Sequence, residues 1–497
     1  MGSGDSNVRT STSGMPIDSR REITAFTRQQ LVRKARWLYN NLGVVRGMIN
    51  NTSRFTVGTG ISPIPTTGDV EFDVIVEDYF CDWADSAMLC DISGRLDFWT
   101  LQKNVLRSML RDGECFVVKA SENGGIPQFQ WLESQFIGSR MAAYHELDKD
   151  GFRDGIKCDQ YGAVLAYKRL SDRNRSEFDL SNEDIIPASA LLHVYDYERS
   201  QQIRGLTWLY AGVNSALDIM DLTTLEKHAT KIHSVVAATI RKKTGDAGPV
   251  GFGGTYKKTK VTGSDGKQRV IAFDNFIGGS GILQLAMDEE FKLEASNRES
   301  ATFNGFIEFL VRDLAAGFGT TTEFVWSMID ASGPNVRSIL ALAGGLFEEL
   351  QDLLVRLLCR PLYMWVVARG IQSGEIVVPE GVKNPYSCAW MGPAKITVDQ
   401  GKEGNLQLER LKSGCGTWEE FWAERGKSGR KMVKARIDEL AWAMEYAASK
   451  KGPGHEDGVP FDYLITLNKG GDGGPSNGEV AETAKHEEKP TEKLEAK

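Results

Sequence analysis

The chain has 497 residues, 41% of them apolar and 25% charged, the make-up of an ordinary globular protein of two or three domains. A net charge of −8 argues against a sequence-reading DNA binder, which would carry a basic excess. No run of about 18 apolar residues marks a membrane span, and seven scattered cysteines without a C-x-x-C pair argue against a disulfide framework or zinc site and fit reduced thiols.

Residues 1–20 are rich in Ser, Gly and Thr, lack the apolar centre of a secretory signal, and are expected to form a disordered arm. Arg21–Ile49 places Phe26, Leu31, Ala35, Leu38 and Leu42 at three- and four-residue spacings, which predicts helix, with Arg and Lys dense on the other face. After Gly58-Thr59-Gly60, Pro63 and Pro65, the stretches Asp73–Trp83 and Phe98–Leu110 read as two more helices. A turn at Asp112-Gly113 opens a run of strand patterns: Glu114–Ala120, Pro127–Phe136, Gly155–Cys158, Ala163–Leu170 and Leu191–Tyr195. Arg21–Tyr195 therefore reads as a mixed α+β domain. His193, after two leucines, is expected to be a satisfied core or edge histidine.

Leu206–Lys243 is broken only by Gly212 and predicts one long helix or two end to end, finishing in Arg241-Lys242-Lys243 at the negative end of the helix dipole. Thr244–Asn297 is rich in Gly and Lys, with strand-like pieces at Gln268–Phe276 and Ile282–Leu285. Ala301–Phe318 returns to helix, with Phe303, Phe306, Ile307, Leu310, Val311 and Leu314 on one side. Thr320–Arg337 reads as a loop holding Trp326, Met328 and Gly333-Pro334, and Val336–Arg369 as a long helix that Pro361 should kink. A strand-like Glu375–Pro379 precedes smaller helices near Lys402–Lys412, Thr417–Arg425 and Arg430–Ala448, and Thr417 with Glu420 has the spacing of a capping box. The composition of residues 451–497 predicts disorder, interrupted at Phe461–Leu467.

Catalytic signatures do not stand out. There is no phosphate-binding G-x-x-x-x-G-K-[ST] loop, and the glycine clusters at Gly251–Gly254 and Gly278–Gly281 lack its spacing. His228 and His233, about 140° apart around a helix, cannot share a metal as an i, i+4 pair can. No G-x-S-x-G elbow occurs, and the acidic pairs at Asp288–Glu290 and Glu348-Glu349 read as solvated faces. The expectation is a protein without catalytic residues, metal or cofactor, and not an enzyme.

Several stretches, in order, resemble the lambda-type family of phage portal proteins. They are the helix from Ala35-Arg36 to Arg46-Gly47 with Asn40-Asn41 inside it, Val57-Gly58-Thr59-Gly60-Ile61, and Arg111-Asp112-Gly113-Glu114 with Phe116-Val117. Then come Arg199, Gln202 and Arg204-Gly205, and Leu314-Ala315-Ala316-Gly317-Phe318-Gly319. Asn335 and Arg337 with the helix to Arg360-Pro361 follow, and finally Trp390-Met391-Gly392-Pro393, Asp399, Lys402-Glu403 and Gly416-Thr417.

The resemblance implies an α+β portal fold with a wing, a two-helix stem, a small α/β clip and a helical crown. On this chain it would put the wing at 21–225, the stem helices at 226–243 and 301–318, and the clip at 244–300. A tunnel loop would occupy 320–337, a kinked wing helix and return segment 338–395, and the crown 396–450. It implies a homo-oligomeric ring, typically of twelve, at one capsid vertex of the virion, assembled in the host cytoplasm. Double-stranded DNA would pass through it without sequence readout. Terminase, head-tail adaptor proteins and a major capsid or scaffold protein would be partners, and no membrane. Trp326, Met328, Asp330, Asn335 and Arg337 would be tunnel-loop residues. Lys227, Lys231, Arg241, Lys242 and Lys243 would add charge along the channel, and Lys257, Lys258, Lys260, Lys267 and Arg269 would face the motor or adaptor.

The residues leave alternatives open. The apolar stripes also fit a monomeric helical core, the lysine cluster also fits a solvated face, and Trp326 and Met328 also fit burial under their loop. A packaging ATPase or nuclease, and a capsid or head-tail structural protein without a channel, are the competing functions.

Overall fold

The computed structural model describes residues 18–120, 125–138, 150–170, 183–241, 257–262, 268–273, 281–285, 300–325, 333–394, 400–423, 425 and 427–449. The chain divides at Gly401/Lys402 into two units. In the first, α1 (Ser19–Glu22) leads into α2 (Ala25–Asn41), whose start is capped by Thr24 Oγ1 accepting from the Thr27 amide. The expected helix over Arg21–Ile49 is really two. Leu42 is extended (φ −114°), and α3 (Gly43–Val57) begins after it. The physical reason lies in Asn40-Asn41 and Gly43: these residues favour helix ends, and the Asn41 amide donates back to the Trp37 carbonyl.

β1 (Ser62–Pro65) contains two prolines, which kept it from reading as a strand. α4 (Val70–Asp85) is capped by Asp69, α5 (Ala87–Cys90) is a single turn, and α6 (Phe98–Asp112) is capped by Asp97. β2 (Glu114–Ala120) and β3 (Gln128–Glu133) form an antiparallel hairpin. β4 (Ile156–Cys158), β5 (Val164–Leu170), β6 (Glu183–Pro187) and β7 (Leu191–Tyr195) follow. They make two three-stranded antiparallel sheets, ordered β3-β2-β7 and β4-β5-β6. Phe116, Leu132, Ile137, Ile156, Tyr167 and Leu191 fill the space between these sheets.

α7 (Val213–Val235) then carries the chain away, but it stops earlier than expected. Val236–Arg241 is a strand, β8, not the end of a helix. The i, i+4 spacing of Ile232, Val236 and Ile240 suited a helix, yet β-branched Val, Thr and Ile residues also suit extended backbone, and a parallel partner decides the matter. That partner is β11 (Gly281–Leu285), reached through β9 (Lys257–Thr262) and β10 (Gln268–Phe273), an antiparallel pair. α8 (Ser300–Phe318) returns and packs along α7.

After the short α9 (Thr322–Val325), α10 (Gly333–Leu354) begins inside the stretch expected to be loop, with Gly333 to Arg337 already helical. Proline suits a first helical turn, because its missing N–H is not needed there. A π-turn at Val355–Cys359 joins α10 to α11 (Arg360–Ser373). This is the expected irregularity at Pro361, displaced into the preceding turn, where a proline ring meets the carbonyl four residues back. Glu375–Pro379, expected as a strand, lies in bend and irregular backbone, and β12 (Cys388–Met391) pairs with β1 instead.

The main core is helical. Leu38, Met48, Phe80, Phe98, Leu106, Leu314, Leu350 and Tyr363 are all essentially inaccessible and belong to one cluster that runs from α2 to α11. α6 is its axis, buried from Phe98 to Asp112 on most of its circumference. The second unit holds α12 (Gln400–Lys412), α13 (Trp418–Ala423) and α14 (Gly429–Ser449). The capping box is formed: the Glu420 amide donates to Thr417 Oγ1 and the Thr417 amide to Glu420 Oε2. Glu419 closes the next helix start by accepting from the Gly429 and Arg430 amides.

Candidate functional site

The most concentrated chemistry among the described residues is a buried charge cluster where α2, β2, β7 and the loops after β3 and β7 meet. Glu114, fully buried at the start of β2, accepts from Arg204 Nε at 2.9 Å and Nη2 at 2.5 Å, from Arg28 Nη1 at 3.3 Å and from the Gly205 amide at 3.0 Å. His193 Nε2 lies 2.9 Å from its second oxygen. Arg28 is also bidentate to Asp154, at 2.7 and 3.0 Å. The Arg204 guanidinium donates further to the carbonyls of Ser134, Ile137 and Asp154. The imidazole of His193 is sandwiched between Phe116 and Tyr195, with ring centroids 4.4 and 4.2 Å away.

Burial by itself would raise the Glu114 pKa, but Arg204, the His193 hydrogen bond and Arg28 together hold it far below the usual carboxylate range. Burial lowers the His193 pKa, and its bond to Glu114 only partly opposes this. The ring is therefore neutral and donates Nε2–H to the carboxylate. Arg204 loses by burial but gains more from Asp154 and Glu114, and stays charged. Two guanidinium groups then face two carboxylates, and the cluster balances. Among its described members there is no nucleophile beside a base, so its chemistry is to lock segments together.

The locked segments carry the resemblance. Gly113 (φ +93°) turns the chain from α6 into β2, and a Cβ on Gly205 would lie 2.1 Å from the Gly113 carbonyl oxygen. Arg111-Asp112-Gly113-Glu114 and Arg204-Gly205 thus interlock backbone to backbone. Arg36 reaches Asp112 at 2.8 and 2.9 Å, and Gln202, buried, organises the turn from Glu198 to Arg204. Gly317 packs against Ala211, and Pro393 against Gly58. Sequence reasoning had Glu114 and Arg204 as pattern residues but not as ion partners. Nothing local marks Arg28 or Asp154, which lie 126 positions apart.

The predicted channel residues scatter. Lys227 and Lys231 are exposed on the outer half of α7. Arg241 ends strand β8. Lys257, Lys258 and Lys260 lie on β9 opposite Phe273, Ala272 and Val270 of β10, which also holds Arg269. Asn335 and Arg337 are exposed in the first turns of α10 rather than on a loop. Lys242, Lys243, Lys267, Trp326, Met328 and Asp330 lie outside the described residues.

The helix pair α7/α8 shows a second feature. Ile307, Leu310, Val311, Leu314 and Phe318 of α8 are buried, whereas Phe306 and Phe309 are 50% and 62% exposed and stack on each other. Leu225 of α7 is 65% exposed. Solvent therefore meets bulky apolar side chains on both helices. Elsewhere, a cavity of about 280 Å³ beside the π-turn is lined by Glu348, Asp352, Arg360, Cys388 and Trp390 among others. Burial pushes the Cys388 thiol up to about 11, so it stays protonated and is not activated. Among the described residues, no group of three or more His, Cys, Asp or Glu side chains is placed to hold a metal ion, and no helix is long and apolar enough to cross a membrane.

A family model described as "Phage portal protein, lambda family" matches residues 9–338. A probable portal protein of Halomonas phage phiHAP-1 is 24% identical over 250 residues, covering 49% of this chain and 46% of the relative. The portal protein of Escherichia phage N15 is 21% identical over 330 residues, 62% of this chain and 61% of the relative. Portal protein B of Escherichia phage lambda is 18% identical over 387 residues, 73% and 72%. The chain thus spans between about half and three-fifths of the length of the first two. Among solved structures, a chain from the neck of a native gene transfer agent particle, computed with C12 symmetry, aligns over 79% of this chain and 91% of its own, with 12% identity and a TM-score of 0.43. A chain from the virion of the native particle gives 81%, 91%, 12% and 0.41.

Proposed function

Because the chain belongs to the lambda family of phage portal proteins, we propose that copies of it close into a ring that gives double-stranded DNA its passage through one vertex of the capsid. The observation that carries the ring is the apolar surface of α7 and α8. Leu225, Phe306 and Phe309 are more than a single subunit covers, and a neighbour placed head to tail with a closing rotation would bury them. Twelve is the number that the family suggests.

In this reading the units of the chain take the family's parts. Residues 21–225 form the wing, the outer part of α7 with α8 the stem, the strands from β8 to β11 the clip, and residues 396–450 the crown. Trp326, Met328, Asp330, Asn335 and Arg337 come near the DNA at a constriction. Lys227 and Lys231, exposed on α7, repeat around the ring, so each contributes one charge per subunit to a collar of positive potential. The overall charge of −8 keeps that potential local. DNA can then slide, because few phosphates are neutralised at once and little counterion release holds it. Lys257, Lys258, Lys260, Lys267 and Arg269 face the terminase motor during packaging and head-tail adaptors afterwards. The wing and crown meet the major capsid or scaffold protein. The protein works in the host cytoplasm during assembly and then in the virion, as a conduit without catalysis of its own.

Negative-stain microscopy of the purified protein tests this directly. Rings of about twelve subunits with a central hole are expected, and sheets, shells or monomers at every concentration would overturn the proposal. ATPase and nuclease assays on the same sample should read background.

A further inference from the structure

Two helices that cover the central α6 turn their far sides to solvent, and these far sides are complementary. On α2 the exposed stripe runs Phe26, Gln29, Arg33, Trp37 and Asn40, basic and aromatic, with Trp37 49% exposed. On α4 it runs Glu71, Val74, Ile75, Asp78 and Asp82, acidic and aliphatic, with Ile75 51% exposed. Both stripes follow the three- and four-residue spacing of one helix face. Two of the other charges of α2 are already engaged, Arg28 by Glu114 and Asp154 and Arg36 by Asp112, and Lys34 lies half-buried beside the stripe. Arg33, Asp78 and Asp82 form no ion pair among the described residues.

We propose that the α2 stripe of one copy docks on the α4 stripe of the next, making a specific wing-to-wing contact within the ring. This rests on the ring reading above and goes beyond it by naming the surfaces. A closed ring needs each subunit to present two different faces that fit each other, and a single chain that carries one basic-aromatic and one acidic-aliphatic face meets that need. Trp37 supplies a large flat contact against Val74 and Ile75, and the charge pattern sets the partner face and its register. Docking of either stripe on itself would put like charges together, so the pattern selects against α2–α2 and α4–α4 contacts.

The test uses the full chain and counts rings by microscopy and sedimentation at low and high salt. Arg33→Glu and Asp78→Arg should each lower ring yield by about tenfold or more at low salt, because each places like charges in every contact. Combining Arg33→Glu with Asp78→Arg or with Asp82→Arg should restore rings, since each subunit then offers the reversed pair. Circular dichroism melting should match the parent for every variant, as all these side chains are exposed. If the parent forms rings and the single variants form them equally well, the ring stands and this contact is wrong. The contact is equally wrong if the singles fail and neither combination recovers. If the parent itself forms no ring, the ring reading falls first.

Discussion

Replacing Glu114 by Gln removes one charge from the buried cluster and almost no volume. The parent cluster balances, with Arg28 and Arg204, each 3% exposed, against Glu114 and Asp154. After substitution two guanidinium groups face Asp154 alone. The new amide also turns an N–H₂ donor toward groups that are themselves donors, so contacts at 2.5–3.3 Å are lost or become repulsive. Removing one partner of a buried ion pair costs about 3–5 kcal/mol, mostly through the charge left behind. Total stability is commonly about 5–15 kcal/mol, so the effect is large. Hydrogen exchange read peptide by peptide is the suitable assay, because it isolates β2 and β7 from the rest of a multi-unit chain. Protection over Glu114–Ala120 and Leu191–Tyr195 should fall roughly a hundred- to several thousand-fold, with the peptides of α14 unchanged. A change below about fivefold would show that the cluster is solvated in solution and that its charges do not depend on one another.

The same cluster predicts acid sensitivity with a definite sign. His193 has a folded pKa below its ordinary 6.5, so the unfolded chain takes up a proton that the folded one refuses, and stability falls as pH drops below about 6.5. Glu114 adds a second loss below its ordinary 4.5, because its folded pKa is depressed. Melting followed from pH 8 to pH 4 should show Tm falling from near pH 6.5 downward, and His193→Gln should flatten the first part of the fall. Gly205→Ala puts a methyl group 2.1 Å from the Gly113 carbonyl, where only backbone can give way. A loss of about 1–3 kcal/mol or more is expected, read as a Tm several degrees lower, and an unchanged Tm would refute the interlock. Phe306→Ser with Phe309→Ser should leave the melting of the isolated subunit unaltered and abolish rings in microscopy. Rings at parental yield would remove the apolar face of α8 from the assembly.

Much of the chain was legible because local physics agrees with the fold. Strand β2 at Glu114–Ala120 and β7 at Leu191–Tyr195 match their expected bounds, and α8 does so to within one residue. The capping box at Thr417 and Glu420 forms as its spacing predicts. Errors fall where two local signals compete. Asn40 to Gly43 divided a helix whose apolar spacing runs on, Val236–Arg241 has a spacing that suits either helix or strand, and two prolines hid β1. For the two strands a partner remote in sequence decided, β11 for β8 and β12 for β1, whereas the helix break was set locally by Asn40, Asn41 and Gly43.

Of the functional residues, the sequence by itself determined the family, through short segments that recur in order, and it determined which lysines and aromatics were available. It could not say which side chains meet. Arg28 and Asp154, 126 positions apart, and Glu114 and Arg204, 90 apart, become partners only when two sheets and a helix close around them. The stripes on α2 and α4 become outward faces only because α6 takes their other sides. Periodicity is a property of neighbours along the chain, whereas burial and charge pairing belong to neighbours in space, and only the folded chain supplies those.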